Sequence, residues 1–161
     1  IRSQHHRHRT WSYNEISRRY TDVDIKFYNP TAFRTQHKSN RQASNAEELI
    51  NPELVLGGGQ YKLTATNAIN GLQNTSLELF NLLIESGVCR EQARGVLPQN
   101  MYTEYYGTVN LGNLLKFVEL RTHEGAQWEI QKAAKACLDI AETLWPITVG
   151  CYKEIREKNN E

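Results

Sequence analysis

Arg7-His8-Arg9-Thr10-Trp11-Ser12-Tyr13-Asn14-Glu15-Ile16-Ser17-Arg18-Arg19-Tyr20 is the stretch on which the reading of this chain turns. Four arginines, a histidine, a glutamate and two serines stand within fourteen residues. That is too much charge for a core. Arginine presents a planar, permanently charged fork that grips phosphate oxygens two at a time. Basic runs are often simply solvated, so a segment contacting a neighbouring subunit or a nucleic acid is the plain alternative. The interleaved Ser12, Asn14, Glu15 and Ser17 shift the balance. A carboxylate among arginines can position a sugar hydroxyl or hold a guanidinium in place, and hydroxyls with backbone amides complete a phosphate nest. The mixture fits a pocket for a phosphorylated, hydrogen-bonding small molecule.

The rest of the composition agrees with a local site. The chain has 161 residues, the size of one ordinary domain. Nineteen Lys and Arg against eighteen Asp and Glu leave a net charge of +1, short of the basic excess usual in a nucleic-acid binder. Residues 1–9 nevertheless hold three Arg, three His and no acid, so the charge is concentrated rather than spread. Mean hydropathy is −0.63, and no apolar run approaches the roughly 18–20 residues that span a bilayer. No signal-peptide pattern is seen. Cys89, Cys137 and Cys151 are odd in number and far apart. They do not form a disulfide framework, and a reducing, cytoplasmic compartment is expected.

Periodicity predicts an α+β fold with a helix-rich C-terminal half. Apolar residues at helical spacing from Tyr61 to Ser86, among them Leu63, Leu72, Leu79, Phe80 and Leu83, predict one long helix with Gly87 beyond its end. Further helices are expected over 90–96, stopped by Pro98, over 110–120, and over 127–144 before Pro146. A final turn or two is expected over 147–158. Short strands are expected over 24–28 and 101–106. Residues 12–20 read as a loop with room for one helical turn, and the polar stretch 34–48 as the most mobile region.

Other signals are weaker. His5, His6 and His8 are flanked by Arg7 and Arg9, whose fixed charges oppose a divalent cation, so no metal is expected. Leu56-Gly57-Gly58-Gly59 lacks the Lys-Ser/Thr of a P-loop, and no G-x-G-x-x-G occurs.

The arginine block, R-H-R-x-x-S-x-N-E-x-S-x-R-Y, resembles the signature of the flavin-dependent thymidylate synthases. Two later blocks resemble that family in the same order. Ala93-Arg94-Gly95-Val96-Leu97-Pro98 looks like its A-R-x-x-L-P segment. Thr108-Val109-Asn110, Leu120-Arg121 and Ala126-Gln127-Trp128-Glu129-Ile130 look like its T-x-N…LR…AQ-x-E-I segment. The resemblance implies one domain over 1–161 with helices packed around a small mixed or antiparallel sheet. It implies reductive methylation of dUMP to dTMP, with methylenetetrahydrofolate as carbon donor and FAD relaying hydride from NADPH. It also implies a homo-oligomer, a tetramer with shared active sites, and neither nucleic-acid nor membrane partners.

By the same resemblance Arg121 is the catalytic residue, stabilising charge on the uracil ring. As a bare residue it reads as a surface arginine paired with Glu119 or Glu124. Gln4, Arg7, Glu15, Ser17, Arg19, Arg94 and Arg121 are implied at dUMP, with Arg19 and Arg94 at its phosphate. Arg7, His8, Arg9, Glu15, Asn110 and Lys116 are implied at FAD. The three cysteines lie outside the matched blocks and are read as structural. The pattern departs from the family at Gly112 and Gly125, where an arginine and a histidine are common. It also departs before the arginine block, where members usually carry a further segment. An inactive homologue that binds nucleotide, and a nucleic-acid-binding module using residues 1–19, are the other readings.

Overall fold

The computed structural model describes residues 1–17, 24–41 and 43–160. In chain order the helices and strands are α1 (Arg2–His5), β1 (Ser12–Glu15), β2 (Phe33–Gln36), β3 (Ser44–Ile50), β4 (Glu53–Leu56), β5 (Tyr61–Thr64), α2 (Ala65–Glu85), α3 (Arg90–Ala93), β6 (Tyr105–Thr108), α4 (Leu111–Arg121), α5 (Trp128–Leu144) and α6 (Pro146–Asn160). The class is α+β. The strands pair two by two, β1 with β6, β2 with β3 and β4 with β5, rather than in one sheet. The chain divides into two compact units, each assembled from separated segments. The first is Ile1–Asn14, Gln36–Ala46 and Tyr106–Glu161; the second is Glu15–Thr35 and Glu47–Tyr105.

The first unit is built on three consecutive helices. Asn110 opens α4 by accepting the Asn113 N–H on its side-chain oxygen at 2.9 Å, a cap that contributes about 1 kcal/mol. Along α4, Leu114, Phe117, Val118 and Arg121 recur at i, i+3, i+4 and i+7, which places them on one face. Phe117 and Val118 are fully buried against Ile130 and Ala134 of α5. On α5 the inward set continues through Cys137, Leu138 and Ala141 at the same period. Burial pushes the Cys137 thiol pKa upward. Trp145 and Pro146 turn the chain into α6, a full helix of fifteen residues where only a turn or two was expected. It is tied to α4 by Tyr152 Oη donating to the Leu115 carbonyl and Arg156 donating to Thr122 Oγ1 at 2.9 Å.

A cluster of rings packs on the buried face of α4. His5, at the end of α1, is 9% exposed. Its ring lies 4.9 Å from Phe117, 4.3 Å from Trp11 and 5.3 Å from Tyr13, the last two edge-on. Trp11 meets Phe117 at 5.4 Å. Gly107 lets the backbone pass close by: a Cβ there would sit 3.0 Å from Trp11 Cε3. Burial, then the charges of His8, His6 and Arg121, push the His5 pKa down to about 4.

The segment 34–48, expected to be polar and the most mobile region, contributes most of β2 and β3. Its polar residues serve the reversal between them. Gln36 Nε2 donates to the Asn40 and Ala43 carbonyls, and His37 Nδ1 accepts the Asn40 N–H. Local side-chain bonds of this kind hold turns without apolar content.

In the second unit the expected long helix begins four residues late. Tyr61–Thr64 is a strand, paired antiparallel with Glu53–Leu56 so that Leu54 faces Leu63 and Leu56 faces Tyr61. The reversal between them runs through Gly57, Gly58 and Gly59, all at positive φ. Thr64 then caps α2 by accepting the Asn67 N–H. The far end closes as expected at Gly87. Its N–H bonds the Ile84 carbonyl, and Val88 N–H reaches Leu83, the paired bonds of a left-handed helix stop. The buried face of α2 differs from the expected one. Ala65, Gln73, Ser76 and Phe80 are inside, whereas Leu72, Leu79 and Leu82 are exposed. Gln73 and Asn100 side chains both donate to the Tyr28 carbonyl, and Thr66 Oγ1 donates to Pro30. These bonds pin residues 26–31 as an irregular segment, so the expected strand at 24–28 reduces to one bridge, Phe27 to Met101. The strand expected at 101–106 forms later, at Tyr105–Thr108. The helix expected at 90–96 divides into α3 and a 3₁₀ turn at Arg94–Val96. The loop expected at 12–20 begins as β1, and residues 18–20 lie outside the described set.

Phe117→Ala should lower stability by about 3–5 kcal/mol, because it leaves a cavity at the junction of α4, α5 and the ring cluster; urea unfolding measures this, and a loss below about 1 kcal/mol would contradict it. His5 must stay neutral to remain packed, while unfolded histidine protonates near 6.5. Its stabilising contribution is therefore complete above pH 6.5 and is lost as pH falls from 6.5 towards about 4. Unfolding midpoints should fall over that window, and His5→Phe should flatten the slope; an unchanged slope in the variant would assign the acid sensitivity elsewhere.

Candidate functional site

Arg121 ends α4 on the helix face that carries Phe117 and Val118, and it is half-buried. Its Nε–H donates to His8 Nε2 at 2.9 Å, and its Nη2 donates to the Gln4 carbonyl at 3.3 Å. It does not pair with Glu119 or Glu124: among the described residues its guanidinium makes these two hydrogen bonds and no ion pair. Two anchors on neighbouring nitrogens fix the plane of a guanidinium and leave Nη1 available. The ring cluster explains why α1 is close enough to supply them. His5 seats α1 on Phe117, and Tyr13 Oη donates to the His5 and His8 carbonyls at 2.7 and 3.2 Å. Gln4, on α1, and His8, three residues beyond its end, are thus both held close to Arg121.

The arginine block separates by residue. Arg7 and Arg9 are exposed, while His8 between them turns inward. Its ring meets Phe117 edge-on at 5.0 Å. Burial, then the Arg121 charge, push the His8 pKa down. Gln4 is half-buried, and its Oε1 is buried without a hydrogen-bond partner among the described residues. An unpaired acceptor in that position costs free energy unless something donates to it. Asn110 spends its side-chain oxygen on the α4 cap, which leaves its amide group for a ligand. Lys116 is exposed on α4. All of these residues belong to the first unit.

Glu15, Ser17 and Arg94 belong to the second unit. Glu15 Oε1 accepts from Thr103 Oγ1 at 2.9 Å, and Ile16 N–H bonds the Glu104 carbonyl. Ser17 is half-buried. Arg94 is exposed, with its Nε donating to the Glu91 carbonyl one turn earlier. Arg19 lies outside the described residues.

Sequence reasoning did not single out His5, Trp11 or Tyr13 as the support of the site. The available signals were the aromatic pair two residues apart and the i, i+3, i+4, i+7 pattern that puts Arg121 on the inward face of α4. Cys89 and Cys151 are exposed thiols, Cys137 is half-buried, and none is bonded to another.

Comparison with known proteins identifies the family and the fold. Residues 1–147 match the family described as thymidylate synthase complementing protein. A flavin-dependent thymidylate synthase of Thermus thermophilus is 39% identical over 154 residues, covering 96% of this chain and 53% of the relative. One from Aquifex aeolicus is 42% identical over 131 residues, covering 81% of this chain and 38% of the relative. The chain therefore spans about half the length, or less, of these relatives. A crystal structure of the UMP/dUMP methylase PolB from Streptomyces cacaoi, bound with 5-Br UMP, superposes with a TM-score of 0.76 at 28% identity, over 94% of this chain and 67% of that one. Together, the matched span and the shared fold establish that this chain belongs to the flavin-dependent thymidylate synthase family.

Proposed function

We propose that the protein carries out reductive methylation of dUMP to dTMP, with methylenetetrahydrofolate as carbon donor and NADPH as the source of hydride. The observation that carries this reading is the anchored guanidinium of Arg121, with its Nη1 uncommitted, together with the unpaired Oε1 of Gln4, the residue whose carbonyl accepts from Nη2. That pair matches the edge of a uracil ring. A carbonyl oxygen of the ring accepts from a guanidinium, and its N3–H donates to an amide oxygen. Negative charge builds on that edge when the ring reacts, and a donor already fixed in place stabilises it with little reorganisation. The family neighbour bound to 5-Br UMP supports a pyrimidine nucleotide as the ligand.

The exposed Arg7 and Arg9 guanidinia suit the phosphates of a dinucleotide, and the free amide of Asn110 and the Lys116 ammonium add polar donors. This donor set fits FAD, which when bound supplies hydride transfer from NADPH. Arg7 is read as shared with dUMP. Glu15 and Ser17 are read as binding the nucleotide sugar and phosphate, and Arg94, with Arg19, as neutralising the phosphate. An exposed antiparallel ladder of Leu54, Leu56, Tyr61 and Leu63, with Leu72, Leu79 and Leu82 on α2, supports a homo-oligomer, read as a tetramer with shared sites. No helix among the described residues is long and apolar enough to cross a membrane, and a cytoplasmic location is part of the proposal.

The full chain, purified, should be yellow and should form dTMP from dUMP, methylenetetrahydrofolate and NADPH; Arg121→Ala should keep the colour and lose about 100- to 1000-fold in turnover. Colourless protein without turnover, or an undiminished variant, would overturn the reading. Arg94→Ala should weaken dUMP binding by about 1.5–3 kcal/mol and leave deoxyuridine binding unchanged. Calorimetry showing an equal preference for the phosphorylated ligand in wild type and variant would remove Arg94 from the phosphate.

A further inference from the structure

We propose that His8 is a positioning residue for Arg121: its neutral imidazole accepts the Arg121 Nε–H and so holds the guanidinium in its working orientation, and protonation of His8 releases it. This rests on the reading of Arg121 as the group that meets the uracil. It assigns His8 a task other than contact with the flavin.

The argument begins with hydrogen-bond inventory. Arginine carries five N–H donors and no acceptor, and it does not lose its proton in a protein. At 2.9 Å from Arg121 Nε, His8 Nε2 must therefore present a lone pair. The neutral ring must carry its proton on Nδ1. Protonated His8 would instead point an N–H at an N–H, between two positive charges. That geometry is repulsive, and the hydrogen bond is lost.

The His8 ring is not free to turn away while keeping its packing. Phe117 lies edge-on to it at 5.0 Å, and His5 at 6.4 Å. Its carbonyl is held by Tyr13 Oη. Phe117 precedes Arg121 by four residues on α4, so the same helix face orients both the acceptor ring and the donor. The second anchor, Nη2 to the Gln4 carbonyl, comes from a main-chain oxygen that does not titrate. Of the two anchors only the one to His8 can be switched.

The groups facing His8 are Arg121 and Phe117 from α4, His5 from α1, and Tyr13 from β1, with Arg7 and Arg9 flanking it in the chain. No carboxylate acts on it among the described residues. Its environment is thus cationic or neutral on every side, and burial adds to the same tendency. The neutral acceptor is the form this surrounding favours at neutral pH, and acid is the condition that dislodges Arg121.

Two measurements test this on the full-length holoprotein. Nitrogen-15 NMR of histidine- and arginine-labelled protein should show His8 protonated on Nδ1, coupled through Nε2 to Arg121 Nε–H, and titrating below 6.5 with loss of that coupling. An Nε2–H tautomer, or a midpoint at or above 6.5, would overturn the proposal whether or not the protein forms dTMP. In the kinetic arm, His8→Phe should retain flavin and lower kcat about 100-fold with little change in KM for dUMP, the signature of an interaction used in the transition state. His8→Gln, which keeps an acceptor oxygen but cannot titrate, should recover most of kcat and abolish the acid limb of the kcat profile. Loss of flavin with unchanged kcat in the reconstituted Phe variant would make His8 a flavin ligand. A wild-type acid limb persisting in the Gln variant would also refute the switch. Absence of turnover in wild type itself would count against the synthase reading alone, because the NMR result stands independently.

Discussion

The first unit depends on one buried ring. Phe117 sits at 1% exposure where α4 meets α5, and its other face receives His5, His8 and Trp11 from the N-terminal segment. A four-residue helix is far too short to persist on its own, and this packing holds it, together with the hydrogen bonds from Tyr13 and Arg121. The arginine-histidine block is therefore not a basic tail. Apolar packing seats α1, and only then can Gln4 and His8 reach Arg121. Polar chemistry at the site is built on hydrophobic burial one turn away.

A tension accompanies this design. Burying His5 among aromatic rings holds it neutral, and the nearby positive charges act in the same direction. The cluster gains packing from imidazole rings but ties its integrity to their remaining uncharged. In the site proposed for an anionic nucleotide, the permanent charge stands on Arg7, Arg9 and Arg121. His5 contributes neutral shape, and His8 contributes an acceptor.

Much of the architecture was legible where amphipathic period and punctuation agreed. α4 and α5 follow their apolar spacing, and Gly87 ends α2 through the bonds expected of it. Reading failed where one pattern could serve two structures. Leu63 fits the helical period of α2 but lies in a strand, because three glycines reverse the chain just before it and Thr64 caps the helix just after. Leu72 and Leu79 fit the same helix but point outward, since periodicity reports that an apolar face exists and not what covers it. The polar run 34–48 reads as the most mobile region because its turn is held by amide and imidazole side chains rather than by apolar burial. For the site, motif matching picked Arg121, while its inward direction was implicit in its spacing from Leu114, Phe117 and Val118. The inward turn of His8 between two exposed arginines has no counterpart in local sequence. It follows from a ring and a guanidinium that stand more than a hundred residues downstream.

That separation has a consequence for how the molecule is made. His8 and Arg121 lie 113 positions apart in the chain, and closing a loop of that length costs roughly 4 kcal/mol of entropy by the logarithmic scaling for flexible chains. During synthesis the amino-terminal segment leaves the ribosome long before α4 exists to receive it. It must wait, hydrated and unpaired, while the intervening elements form around their own local contacts. Such a late, non-local closure predisposes the chain to slow maturation. It also makes the corner where His8 meets Arg121 the last part of the first unit to acquire its native form.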